Sequence, residues 1–192
     1  VTELVSGRQV EAPVSVVAAQ SQSFASAVRE LPAVDVQRAE LVRQFIAARR
    51  KDGQPVVIVL DDSQALTRQA LAQDAAKALQ QLGVKAEVRR ASQPGVFANE
   101  ERVHLYSDWR DMNPAQHVPH HLALLGGEGE SVLLEELQEN QLLTRPLTAS
   151  YPGPGRSVLT VVRSPFAYNR DVLCLLGPDE KGIRAALAAL TS

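Results

Sequence analysis

Three features of this sequence point to an α/β sandwich around a mostly parallel sheet. The first is Val56-Val57-Ile58-Val59-Leu60, an apolar run without alternation, which suits a strand covered on both faces. The second follows directly: a helical stripe of Leu71, Ala75, Leu79 and Leu82, then Gly83 and the strand-like run 84–88, together one βαβ unit. The third is the recurrence of that order, since Leu122-Ala123-Leu124-Leu125 and 172–176 are apolar runs that lead through glycine turns into helical patterns.

Taken along the chain, residues 1–34 carry no sustained period; Val10, Pro13, Val14, Val16 and Val17 suit a short strand, and 18–27 suits helix or loop. Asp35 is placed to cap a helix bearing Val36, Leu41, Val42, Phe45 and Ile46. Arg49, Arg50 and Lys51 match the negative end of that helix's dipole, with a phosphate site as the alternative reading, and Gly53 stops it. Asp61-Asp62-Ser63 supplies the turn and N-cap of the helix that runs to Leu82. The stretch 89–119 is irregular apart from a short strand at Val103-His104-Leu105-Tyr106. After the 122–125 strand, Ser131 caps a helix with Val132, Leu133, Leu134 and Leu137 that ends near Asn140. Tyr151-Pro152-Gly153-Pro154-Gly155 is a rigid turn, and 158–162 with 172–176 are strands joined too closely for a helical crossover, so their pairing is antiparallel. A final helix carries Ile183, Ala186, Leu187 and Leu190. The expected division is an arm or peripheral element over 1–34 and, over 35–192, a flavodoxin/Rossmann-like three-layer sandwich with an antiparallel edge.

Composition narrows the function. With 45% hydrophobic and 22% charged residues in 192, the chain is globular rather than disordered. Twenty basic against 22 acidic residues leave no positive surplus, which argues against nucleic acid as a partner. One cysteine excludes a disulfide framework and a multi-cysteine metal cluster. No apolar run reaches the roughly 18 residues of a membrane span. The first residue is Val1, which suggests a processed form or a piece of a longer protein.

In an open doubly wound sheet, ligands bind at the carboxyl ends of the strands. Three strand ends qualify here, and a helix N-terminus follows each. They supply Asp62; Gly126, Gly127 and Glu128; and Gly177 and Asp179 as candidate ligand-binding residues. The competing readings are a tight turn for the glycines and helix capping for the aspartates, with magnesium or acid/base work as a further option for Asp61 and Asp62. Neither a dinucleotide fingerprint nor a phosphate-loop lysine is present, and Glu128 and Glu130 repel phosphate. His117, His120 and His121, with His104 elsewhere, form a loose zinc-like cluster that Asp108 or Asp111 could complete, but Pro114 and Pro119 place it in a loop. Cys174, inside an apolar strand, reads as buried and inert. Ser63, Ser131 and Ser164 lack the glycine-flanked elbow of hydrolases. Trp109 reads as a loop anchor, with sugar or protein contact as the alternative. No catalytic residue, metal or cofactor is expected.

The order Leu122-Ala-Leu-Leu-Gly-Gly127, the helix around 133–140, Pro152-Gly-Pro-Gly155 and the ending Val172-Leu-Cys-Leu-Leu-Gly-Pro-Asp-Glu-Lys-Gly-Ile-Arg-Ala-Ala186 resembles the flavodoxin-like domains of the membrane-anchored B subunit of bacterial cellulose synthase, the cyclic-di-GMP-binding regulatory subunit. Similar strand, Gly-x-Asp-x-x-Gly and alanine-rich helix endings occur in S-layer proteins and in accessory domains of extracellular glycoside hydrolases. The resemblance covers about 56–190 and implies a non-catalytic scaffold, extracytoplasmic or periplasmic, that contacts other domains or subunits of an envelope, polysaccharide-handling assembly. It carries over no catalytic residue. Two readings compete with it: a small-molecule- or nucleotide-binding domain using the carboxyl rim, in which the acidic 61–64 loop disfavours flavin phosphate, and a zinc site in 97–121. A cytoplasmic location remains the alternative to the envelope.

Overall fold

The computed structural model describes residues 34–36, 39–96, 118–143, 145–148 and 150–192. Strand β1 (Val34–Val36) precedes helix α1 (Ala39–Asp52), followed by β2 (Val56–Leu60), α2 (Ala65–Gln81) and β3 (Ala86–Arg90). After them come β4 (His121–Gly126), α3 (Val132–Glu139), the hairpin β5 (Ser157–Ala167) and β6 (Arg170–Leu176), and α4 (Glu180–Thr191). The six strands lie in the order β1-β5-β6-β4-β2-β3. Strands β3, β2, β4 and β6 are mutually parallel, β5 is antiparallel to β6, and β1 is parallel to β5. The chain is therefore a mostly parallel α/β sandwich of flavodoxin/Rossmann-like architecture with one antiparallel pair.

Side-chain alternation along the strands sorts the core into two layers. Val56, Ile58, Leu60, Ala123, Leu125, Leu173 and Leu175 pack with Phe45 and Ile46 of α1, Leu71 and Leu79 of α2, and Ile183 and Leu187 of α4. Val57, Val59, Leu122, Leu124, Val172, Cys174 and Leu176 face the other way, onto Leu133, Leu134 and Leu137 of α3 and onto Leu143 and Leu147. Burial on both faces is why β2 and β4 carry no polar alternation.

Several local expectations are corrected. Asp35 is not a helix cap; it lies in β1, paired with Val158, and the helix starts at Ala39. A three-residue strand has almost no local signal, and the exposed side of β5 supplies its backbone partner. The N-cap position of α2 is Gln64, without a side-chain cap, because Asp61 Oδ1 accepts from Ser63 N and Oγ instead. Ser131 does occupy the N-cap position of α3, yet its hydroxyl makes no capping bond. The strand expected at 84–88 is β3 at 86–90, because the turn that ends α2 extends through Val84. Gly83, at φ 76°, donates to Gln80 O while Val84 donates to Leu79 O.

Among the described residues no helix is long and apolar enough to cross a membrane. The arm 1–33, the 103–106 strand and Trp109 lie outside the described residues.

Candidate functional site

The strand order reverses between β2 and β4, so the ligand crevice of this architecture falls at their carboxyl ends. The chain's own atoms span it. Arg68, in the first turns of α2, pairs through Nη2 with Glu130 Oε1 in the loop after β4. Both side chains are largely buried, at 13% and 21% exposure. The second oxygen of Glu130 accepts the Gly127 amide at 3.0 Å. Next to it the ladder continues past β4 and β6, with Gly177 N donating to Gly126 O at 2.9 Å.

Beyond this pair the rim is filled by backbone. A Cβ on Gly127 would stand 2.9 Å from Gly177 O, and one on Gly177 would stand 3.0 Å from Arg156 O. Closest of all is Gly182, where a Cβ would overlap Arg156 O. These glycines allow close backbone approach among the turns before β5, after β4 and after β6. Asp179 locks the arrangement: Oδ1 accepts from Gly182 N at 2.7 Å, capping α4, and Oδ2 accepts from Gly155 N at 2.8 Å. Those two amide bonds, then the nearby Lys181 and Arg68 charges, hold its carboxyl below the usual aspartate range.

Of the six candidate residues, the fold brings Gly126, Gly127, Gly177 and Asp179 into this packed corner. Asp62 sits on the β3 side, where its oxygens accept from Ser92 N at 3.1 Å and Ser92 Oγ at 2.8 Å. Glu128 is exposed at the loop tip. Sequence reading missed Arg68, because its partner lies 62 residues away.

The histidines divide. His120 Nε2 lies 3.2 Å from Gly95 O, and burial, followed by Arg89, lowers its pKa. His121 is buried at the start of β4; its Nδ1 accepts the Asp171 amide at 3.0 Å, which leaves the ring proton on Nε2. Burial first, then Arg49 and Arg170, push its pKa down to about 4, so the ring is neutral at pH 7. Among the described residues no three His, Cys, Asp or Glu side chains converge as a metal set. His104, His117, Asp108 and Asp111 lie outside the described residues.

His121 opens onto a second feature, at the opposite end of the parallel strands: a polar cleft of about 390 Å³ lined by Arg49, Asp52, Arg163, Arg170 and Asp171. Arg49 occupies the apolar stripe of α1 with Val42, Phe45 and Ile46, and is only 9% exposed. A cation on that stripe was the available sequence signal, obscured by the neighbouring Arg50 and Lys51.

Fold and site together define a flavodoxin/Rossmann-like α/β sandwich whose switch-point crevice is occupied by its own side chains. No family model matches the chain. It is 30% identical over 90 residues to the uncharacterized protein MJ0954 of Methanocaldococcus jannaschii, a match covering 46% of this chain. The matched segment is 20% of that relative's length.

Proposed function

We propose that the chain is a non-catalytic interaction domain whose partners are other domains or subunits of an assembly. The observation that carries this reading is the Arg68–Glu130 pair across the β2/β4 crevice, where a ligand of this architecture would sit. Leu66 and Val132, at the starts of α2 and α3 on the same rim, are 90% and 40% exposed. They offer apolar contact to a neighbouring protein surface. The setting, a cell-envelope and polysaccharide-handling protein outside the cytoplasm like the cellulose synthase regulatory subunit, rests on the sequence resemblance alone.

Two measurements test the reading. In a melting screen with FMN, NAD and ATP, no rise in Tm that depends on Arg68 is expected beyond the effect of matched inorganic phosphate. A photo-crosslinking residue at Leu66, introduced in the native host, is expected to give one defined adduct, which the same residue at exposed Gln73 does not give. A nucleotide-induced rise in Tm that disappears in Arg68→Met would replace this reading with that of a ligand-binding rim.

A further inference from the structure

We propose that the cleft at the amino-terminal end of the parallel strands is an oxyanion-binding site in which the Arg49 guanidinium is the principal donor. Three arginines from three elements line it: Arg49 from α1, Arg163 from β5 and Arg170 from β6. The facing acids are Asp52 and Asp171, and with His121 neutral the cleft holds one positive charge in excess.

The donors are not equally engaged. Arg170 gives Nε to Pro119 O at 2.9 Å and Nη1 to Asn169 O at 3.1 Å. Arg163 gives Nη2 to Gln44 Oε1 at 2.8 Å. Asp171 Oδ1 accepts Ser164 N at 3.1 Å, so part of that carboxylate is committed to the hairpin. Arg49 differs. Its Nη2 meets Asp52 Oδ2 at 2.9 Å and its guanidinium carbon lies 5.7 Å from the Phe45 ring centre. Its Nε and Nη1 are buried without a hydrogen-bond partner among the described residues.

Buried donors left unmade are costly, and a guanidinium more so than a neutral group. Leucine or methionine would satisfy the α1 stripe without that penalty, whereas the arginine placed here is suited to an acceptor that uses its remaining donors. The negative end of the α1 dipole opposes an anion here, which leaves the guanidinium to provide the attraction. Nε–H lies on the edge shared with Nη2 and Nη1 on the other edge, so each free donor offers a carboxylate or phosphate oxygen a charge-assisted bond beside the nitrogen that Asp52 holds. The cavity is large enough for either group together with part of the molecule bearing it.

The probes are inorganic phosphate and malonate, titrated against chloride at matched ionic strength while Tm is followed. For the wild-type chain, phosphate, malonate or both should give a saturable rise of about 2–4 °C, and the larger response identifies a phosphate or a carboxylate ligand. Arg49→Met should abolish the rise while still melting as a folded, cooperative protein in chloride. If Arg49→Met does not fold, Arg170→Gln serves instead and should weaken the response at least about tenfold in half-saturating concentration. The proposal is overturned if neither anion exceeds chloride on the wild-type chain, or if the response persists undiminished in the folded variant tested.

Discussion

Replacing Gly182 with alanine sets two effects of opposite sign against each other. Gly182 lies in the first turn of α4, and in an open helix alanine would be favoured by about 1 kcal/mol. At this position the new Cβ would stand 3.1 Å from the Arg156 carbonyl carbon and closer still to its oxygen, inside the separation that real Cβ atoms keep. The obstacle is backbone and cannot rotate away. Relief requires α4 or the 153–156 turn to move, which strains the two Asp179 bonds, at 2.7 Å to Gly182 N and 2.8 Å to Gly155 N. Overpacking costs about 1–3 kcal/mol, and weakening hydrogen bonds to a charged acceptor adds about 1.5–3 kcal/mol. After the helix-propensity gain, a net loss of about 1.5–5 kcal/mol is expected. In urea denaturation followed by circular dichroism, with m of about 2 kcal/mol/M, the midpoint should fall by about 0.7–2.5 M at unchanged m. Gly129→Ala is the control: φ is +71° and nothing lies within 4 Å, so only backbone strain of about 1 kcal/mol applies. A Gly182→Ala protein as stable as the wild type would show that the rim is loosely packed, and would remove the structural basis of a filled crevice.

The remaining expectations concern titration and reactivity. His121 has its folded-state pKa lowered to about 4, so between pH 6.5 and 4 the unfolded chain binds the extra proton and stability falls with pH. About 2 kcal/mol should be lost between pH 7 and pH 5, and His121→Asn should remove that share of the slope; parallel urea profiles for the two proteins would refute it. The Asp179 carboxyl is held below its ordinary range, so its stabilisation is present at neutral pH and vanishes as pH falls through the folded-state value. Asp179→Ala should therefore cost about 1–2 kcal/mol at pH 7, with the difference closing in acid, as acid-to-neutral denaturation series will show. Cys174 is buried, and desolvation raises its thiol to about 12, so a thiol reagent should react only as fast as the chain opens, and native-state labelling at free-thiol rates would contradict that burial.

The legible part of the fold is the part whose signal is local. Runs 56–60, 122–125 and 172–176 became β2, β4 and β6 because burial on both faces demands uninterrupted apolar residues. Strand β1 escaped because its stability comes from pairing with Ser157–Leu159, far along the chain, while Asp35 is locally an excellent cap. The capping chemistry expected of Asp61, Asp62 and Ser131 failed for a related reason. Asp62 binds Ser92, 30 residues away, and the amide at the head of the β4 turn is served by Glu130 rather than by a cap. Strand ends led to Gly126, Gly127, Gly177 and Asp179, which share one corner, but not to the separate positions of Asp62 and Glu128, and the Arg68–Glu130 pair needed the β2/β4 adjacency before it had meaning. Arg49 was read with Arg50 and Lys51 as one charge run, although only its spacing from Phe45 and Ile46 marks a buried position.

The two ends of the sheet also differ in who supplies the anion. Folds of this type attract phosphate at the carboxyl rim because amides at helix N-termini point there unpaired. Here Asp179 takes the Gly182 and Gly155 amides, and Glu130 takes the Gly127 amide together with the Arg68 guanidinium. These internal carboxylates stand where a ligand's oxygens would, and a tethered group competes at an effective concentration of about millimolar or more. A free anion binding there would have to displace two such groups and then separate backbones that leave no room for a methyl group. At the opposite end, Asp52 answers one Arg49 nitrogen and two remain. The same accounting that argues against a small ligand at the carboxyl rim therefore favours one beside Arg49, and the two conclusions stand or fall on separate residues.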